Sequence, residues 1–64
     1  MKTKIREYRE KKGISQEELS KISGVSRTII SGLETGLIEE TSSVTMKKIA
    51  DALGKKIQTI FFID

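Results

Sequence analysis

Apolar residues recur along this chain at helical spacing, in short runs separated by glycine. Ile5 and Tyr8, Leu19 and Ile22, Ile30 and Leu33, and Met46, Ile49, Ala50 and Leu53 each mark one stripe, as in helices that bury a single side. Gly13, Gly24, Gly36 and Gly54 follow these stripes, where left-handed caps end helices. The pattern predicts five short helices. The first covers about residues 3–12, with Ile14 turned to the core beyond its end. The second opens with "SQEE", in which Ser15 and Glu18 form a capping box, and buries Leu19 and Ile22. "GVS" is the turn to a third helix, with Val25 as apolar anchor and Ser26 as N-cap. The fourth covers about residues 43–53, and a last turn, "IQTIF", offers Ile57, Ile60 and Phe61 as a lid. No strand pattern of convincing length is present. The expected fold class is all-α, a compact five-helix arrangement forming one domain over residues 1–64, with residues 62–64 as a tail that holds at most a short extended segment.

One helix is poorly made by propensity. "SRTIISGLETG" strings Thr28, Ile29 and Ile30 together and then places Gly32 mid-helix, all weak helix formers. Something other than helix stability selects this stretch.

Composition removes whole classes of function. The chain has 64 residues, no Cys and no His, so disulfides, zinc-finger ligand sets, thiol nucleophiles and imidazole bases are all missing. A chain of this size buries only about 60% of its unfolded surface, enough for one small core. The expectation is a protein that is not an enzyme and uses no cofactor or metal. No apolar run approaches the roughly 20 residues of a membrane span, and "MKTKIREYREKK" lacks the apolar stretch of a secretory signal. A soluble, cytoplasmic protein without a membrane partner is expected. The net charge is +3, and the excess lies in residues 1–34, with eight Lys/Arg against five Asp/Glu; residues 35–64 hold four of each. Such asymmetry suits a polyanion such as nucleic acid, or simply a solvated helix surface.

With these residues in view, "ISQEELSKISGVSRTIISGLETG" resembles the helix-turn-helix of phage repressor and Cro-type regulators, the XRE family, with the motif at about residues 15–35. "IREYREKKG" resembles that family's first helix, and "TMKKIADALG" with "IQTIF" its last two, so the likeness covers about residues 5–61. "RTIISGLE" is also similar to the recognition helix of controller proteins of restriction-modification operons. The resemblance implies a dimeric, sequence-specific regulator of double-stranded DNA, a repressor or an activator, without a small-molecule effector domain. It places Gly24 at the turn, with positive φ and no room for a Cβ, Val25 between the helices, and Ile30 and Leu33 inward. It also pairs Arg9 of the first helix with Glu34 as a structural ion pair, the alternative being two solvated charges.

At 100° per residue, with Ser26, Ile30 and Leu33 inward, the third helix turns Thr28, Ser31, Gly32 and Thr35 outward and sets Arg27 and Ile29 on the flanks. Family position makes Ser26, Arg27, Thr28, Ser31, Gly32 and Thr35 the candidate DNA-binding residues. Arg27 either bonds the O6 and N7 of guanine or clamps a phosphate. Gln16, with the first amides of the second helix, is expected on a backbone phosphate; Lys2, Lys4 and Lys12 are candidates for nonspecific contact only. Ile29 either packs against the second helix or touches a thymine methyl. The outward face is small, as if shaped for the helix backbone to sit deep in a groove.

Two features depart from the family pattern. Gly32 stands where relatives often carry a long polar side chain, and the loop "LIEETSS" brings Glu39 and Glu40 where basic residues are usual, with Leu37 and Ile38 either exposed or buried beneath it. Dimerisation must use surface that the core leaves over; Phe62 and Ile63 either pair across a two-fold axis or fray. The rival reading is a protein-interaction module of the same fold, an antitoxin or an antagonist of another regulator, acting through "GLIEE" and the apolar tail.

Overall fold

Residues 2–62 are described in the computed structural model, and they run β1 (Lys2–Thr3), α1 (Ile5–Lys12), α2 (Gln16–Ser23), α3 (Arg27–Thr35), α4 (Ser43–Ala52), α5 (Ile57–Ile60) and β2 (Phe61–Phe62). The five helices are those that the apolar spacing predicts. What the spacing misses is the pairing of the chain's two ends. β1 and β2 lie antiparallel, with Lys2 opposite Phe62 and Thr3 opposite Phe61, and the Lys4 amide donates to the Ile60 carbonyl at 2.7 Å. The first helix therefore starts at Ile5 rather than at residue 3. A two-residue strand has no period to read, and its partner lies at the far end of the chain.

Side-chain caps fix where three helices begin. Ser15 Oγ accepts from the Glu18 amide and Glu18 Oε1 accepts from the Ser15 amide, each at 3.0 Å, completing the capping box of α2. Ser26 Oγ accepts from the Ile29 amide at 3.2 Å, and Ser42 Oγ accepts from the Thr45 amide at 3.1 Å. Each cap satisfies an amide that has no partner within its helix and contributes about 1 kcal/mol.

The core takes one large, fully buried side chain from each helix: Ile5, Leu19, Ile30, Ile49 and Ile60. Val25, Leu33, Ala50, Leu53 and Phe61 complete it, with Tyr8, Ile14, Ile29, Met46 and Ile57 packed against its edge. Burying each large side chain contributes about 1.5–3 kcal/mol, which is what holds α3 helical against its propensities. Ile22 corrects the sequence reading, being 56% exposed. The buried side of α2 runs instead through Leu19 and Ser23, because Ser23 is needed in the turn. Its Oγ accepts from the Val25 amide at 3.2 Å, while Ser20 Oγ donates to the Val25 carbonyl at 2.6 Å. Two hydroxyls thus clasp the residue that the turn buries. Among the described residues, no helix is long and apolar enough to cross a membrane.

Candidate nucleic-acid interface

Helix α3 is anchored by Ile30 and Leu33 and offers its other side to solvent. Arg27 and Thr28 are exposed and Ser31 is half-buried. Together with Gln16 and Gly32 they line one shallow, open depression, whose far rim is Leu37 and Ile38. Five of the seven residues named from the sequence are thus brought together. Ser26 and Thr35 flank the depression and use their hydroxyls on the helix itself: Ser26 as the N-cap, and Thr35 by donating to the Ser31 carbonyl at 2.9 Å. Ile29 is half-buried and packs on the core, as one of its two sequence readings has it.

Gly32 is not outward. It is buried, because the chain turns back after α3 and lays Ile38 on it. A Cβ at Gly32 would stand 2.5 Å from Ile38 Cδ1 and 2.6 Å from Cγ1. The Gly32 carbonyl accepts the amides of both Gly36 and Ile38, each at 3.0 Å, so the loop is fastened where it crosses the helix. The depression is consequently walled by Ile38, not left as bare backbone. At Gly24 the expected positive φ is present, at +74°, but the expected crowding is not: apart from its chain neighbours nothing lies within 4 Å of a Cβ built there, so the backbone conformation is the whole reason for glycine.

Beneath this surface, Arg9 of α1 meets Glu34 of α3 in a two-pronged ion pair, Nε to Oε2 at 2.9 Å and Nη2 to Oε1 at 3.1 Å. Their side chains are 12% and 4% exposed. The hydrogen bond to Glu34 raises the Arg9 pKa above its ordinary value, against desolvation, which lowers it, and with the charges of Glu34 and Glu10 adding to the rise. Arg9 Nη1 also donates to the Ile14 carbonyl at 3.0 Å, and Gln16 Nε2 donates to Glu34 Oε1 at 3.2 Å. One carboxylate therefore joins α1, α2 and α3 and sets Gln16 at the edge of the depression. That tether of Gln16 has no sequence signal, since the residues lie 18 apart on different helices.

The charges differ in how they are used. Among the described residues, Arg27 makes no hydrogen bond or ion pair, so its five donors remain for a ligand. Lys2, Lys4 and Lys12 do not line the depression; Lys4 Nζ stands 5.5 Å from the centre of the Phe62 ring. Phe62 is half-buried in β2 against Lys2 of its own chain, so it has a place within the monomer that the sequence does not suggest. Ile63 lies outside the described residues. Leu37 and Ile38 also line the depression, and a helical wheel that stops at Thr35 does not reach them.

The comparisons with known proteins agree with this geometry. A helix-turn-helix family model matches residues 5–60. A protein of Methanothermobacter thermautotrophicus described as an uncharacterized HTH-type transcriptional regulator is 43% identical over 65 residues, covering 100% of this chain and 93% of the relative. A relative of the same description from Archaeoglobus fulgidus is 41% identical over 64 residues, covering 100% of this chain and 90% of its own length. Among solved structures, the restriction-modification controller protein C.AhdI of Aeromonas hydrophila superposes with a TM-score of 0.83 at 38% identity, over 91% of this chain and 86% of that one. By its matched residues, its helix order and these relatives, the chain belongs to the helix-turn-helix family, as a DNA-binding transcriptional regulator of the XRE type.

Proposed function

We propose that this regulator acts as a two-fold symmetric dimer that sets α3 in successive major grooves of an operator and represses by occupying it. The observation that carries the reading is the depression at Gln16, Arg27, Thr28 and Ser31, with Arg27 unpaired among the described residues. Arg27 faces base edges, where its fork fits the O6 and N7 of guanine. Gln16 and the first amides of α2 sit on a phosphate, drawn by the helix dipole and fixing register without reading sequence. Ser26, Thr28, Ser31 and Thr35 give α3 a low profile for entry, Gly32 lets Ile38 lie flat, and Arg9 with Glu34 holds the motif rigid. The whole unit over residues 1–64 serves as the DNA-binding domain.

A dimer is required because four or five base pairs per protomer are too few to be selective. Phe62, through the edge of β2 that is not paired with β1, is the proposed contact, and Ile63, outside the described residues, is proposed with it from the sequence alone. The likeness to a restriction-modification controller supports action at a promoter, in the cytoplasm.

Selection of binding sites from random duplex DNA tests this directly. The expected product is an inverted repeat with half-site centres about one helical turn, roughly 34 Å, apart. Placing that repeat across a reporter promoter should lower transcription when the protein is supplied. Unsymmetric sequences would contradict the dimer, and increased transcription would contradict repression. No enrichment at all would favour the rival protein-interaction module.

A further inference from the structure

We infer that Leu37 is a specificity residue that reads the C5-methyl group of a thymine beside the base pair faced by Arg27. The inference rests on the DNA-reading role proposed for the α3 face. Leu37 is 87% exposed, more than the other exposed large apolar residues, Ile22 at 56% and Val44 at 61%. It stands on the rim of the depression that holds Arg27, Thr28 and Ser31, so a duplex seated there removes it from water.

Its position is built. Gly36 before it and Ile38 after it both donate their amides to the Gly32 carbonyl at 3.0 Å, and the Ile38 side chain rests on Gly32. Leu37 is therefore the single residue of this turn whose side chain is directed away from a fastened backbone. Ordering it on binding costs little more than its own rotamer freedom.

The chemistry of the surroundings selects the ligand group. A leucine side chain offers no donor for a phosphate oxygen, so on a duplex it has only apolar groups to meet; Glu39 and Glu40, exposed two and three residues further on, have to lie clear of the phosphate chain when it does. The apolar group that major-groove edges present is the thymine methyl. A protein partner that takes Leu37 with the acidic pair is the competing occupant, and the experiment separates the two.

Each thymine of a selected operator half-site is replaced in turn by deoxyuridine, which removes the methyl group and keeps every base-pair hydrogen bond. Binding of the wild type to the unmodified operator is measured first. At one position per half-site the wild type should weaken about fourfold, the equivalent of one buried carbon. Leu37→Ala should bind the unmodified operator correspondingly more weakly and lose sensitivity to deoxyuridine at that position, while guanine preference at the Arg27 position persists. Leu37→Met should restore part of the sensitivity. Thermal unfolding of Leu37→Ala, at an exposed position, should match the wild type. Deoxyuridine sensitivity that survives in Leu37→Ala would overturn the inference and assign the methyl to another residue of the depression, Ile38 or Thr28 first. No sensitive thymine, or Leu37→Ala binding every duplex as the wild type does, would overturn the inference and point to the protein occupant. Both outcomes leave the DNA-reading role standing, whereas failure to bind the unmodified operator removes that role itself.

Discussion

Gly32 and Gly24 are glycines for opposite reasons. Gly24 is constrained by its own backbone, a left-handed conformation that costs other residues about 1–2 kcal/mol. Gly32 has ordinary helical geometry and is constrained by a neighbour, Ile38, which occupies the space a side chain would need. Replacing Gly32 with alanine sets a gain of about 1 kcal/mol in helix propensity against overpacking of about 1–3 kcal/mol. Gly32→Ala is therefore expected to lower stability, and Ile38→Ala, which removes the obstructing atoms, to relieve it. In denaturant unfolding the double variant should be at least about 1 kcal/mol more stable than the sum of the two single effects. Strict additivity would mean that Ile38 does not rest on Gly32. The family pattern shows Gly32 as unusual but cannot give the reason, because the crowding atom comes from beyond the Gly36 turn, where helical periodicity no longer tells which way a residue points.

At the scale of elements, Glu34 is the joint of the motif. Its carboxylate, 4% exposed, bonds Arg9 of α1 and Gln16 of α2, so removing it leaves a nearly buried guanidinium without its anion. Glu34→Ala should cost about 3 kcal/mol, the lower end for a broken buried pair because Arg9 keeps some solvent access. Glu10→Ala, which breaks the exposed pair with Arg6 and removes only a lesser charge acting on Arg9, should cost less than about 1 kcal/mol; equal losses in thermal unfolding would contradict the distinction. The raised Arg9 pKa means that the folded state holds this proton more tightly than the unfolded chain. Its stabilisation is complete below the ordinary arginine pKa and is lost only as pH rises through the folded value, so arginine titration leaves the joint intact at neutral pH. The elements themselves were readable wherever local chemistry sets them. Ser15, Glu18 and Ser26 cap as their spacing says, and the stripe Ile49, Ala50 and Leu53 is buried. Ile22 was not, since Ser23, whose hydroxyl bonds the Val25 amide, takes the buried place beside Leu19. The β1–β2 pair was not either, being a contact between chain ends with no local signature.

The whole molecule joins a basic N-terminal half, a packed five-helix body and one presented surface. Net charge draws the protein to DNA of any sequence, weakening with salt; the α3 face has to supply discrimination beyond that. In the role proposed for it, Arg27 is the residue on which the two contributions separate, since loss of a phosphate contact lowers affinity evenly across sequences, whereas loss of a guanine contact relaxes preference at one base pair. The most direct measurement is equilibrium binding of the wild type and Arg27→Ala to a selected operator and its full set of single base-pair variants, at fixed salt. The account predicts that the wild type discriminates by about 1–3 kcal/mol at one G·C pair per half-site, and that Arg27→Ala loses this preference while keeping the others. An Arg27→Ala protein that keeps the wild-type preference at every base pair, whether its affinity is unchanged or evenly reduced, would contradict it.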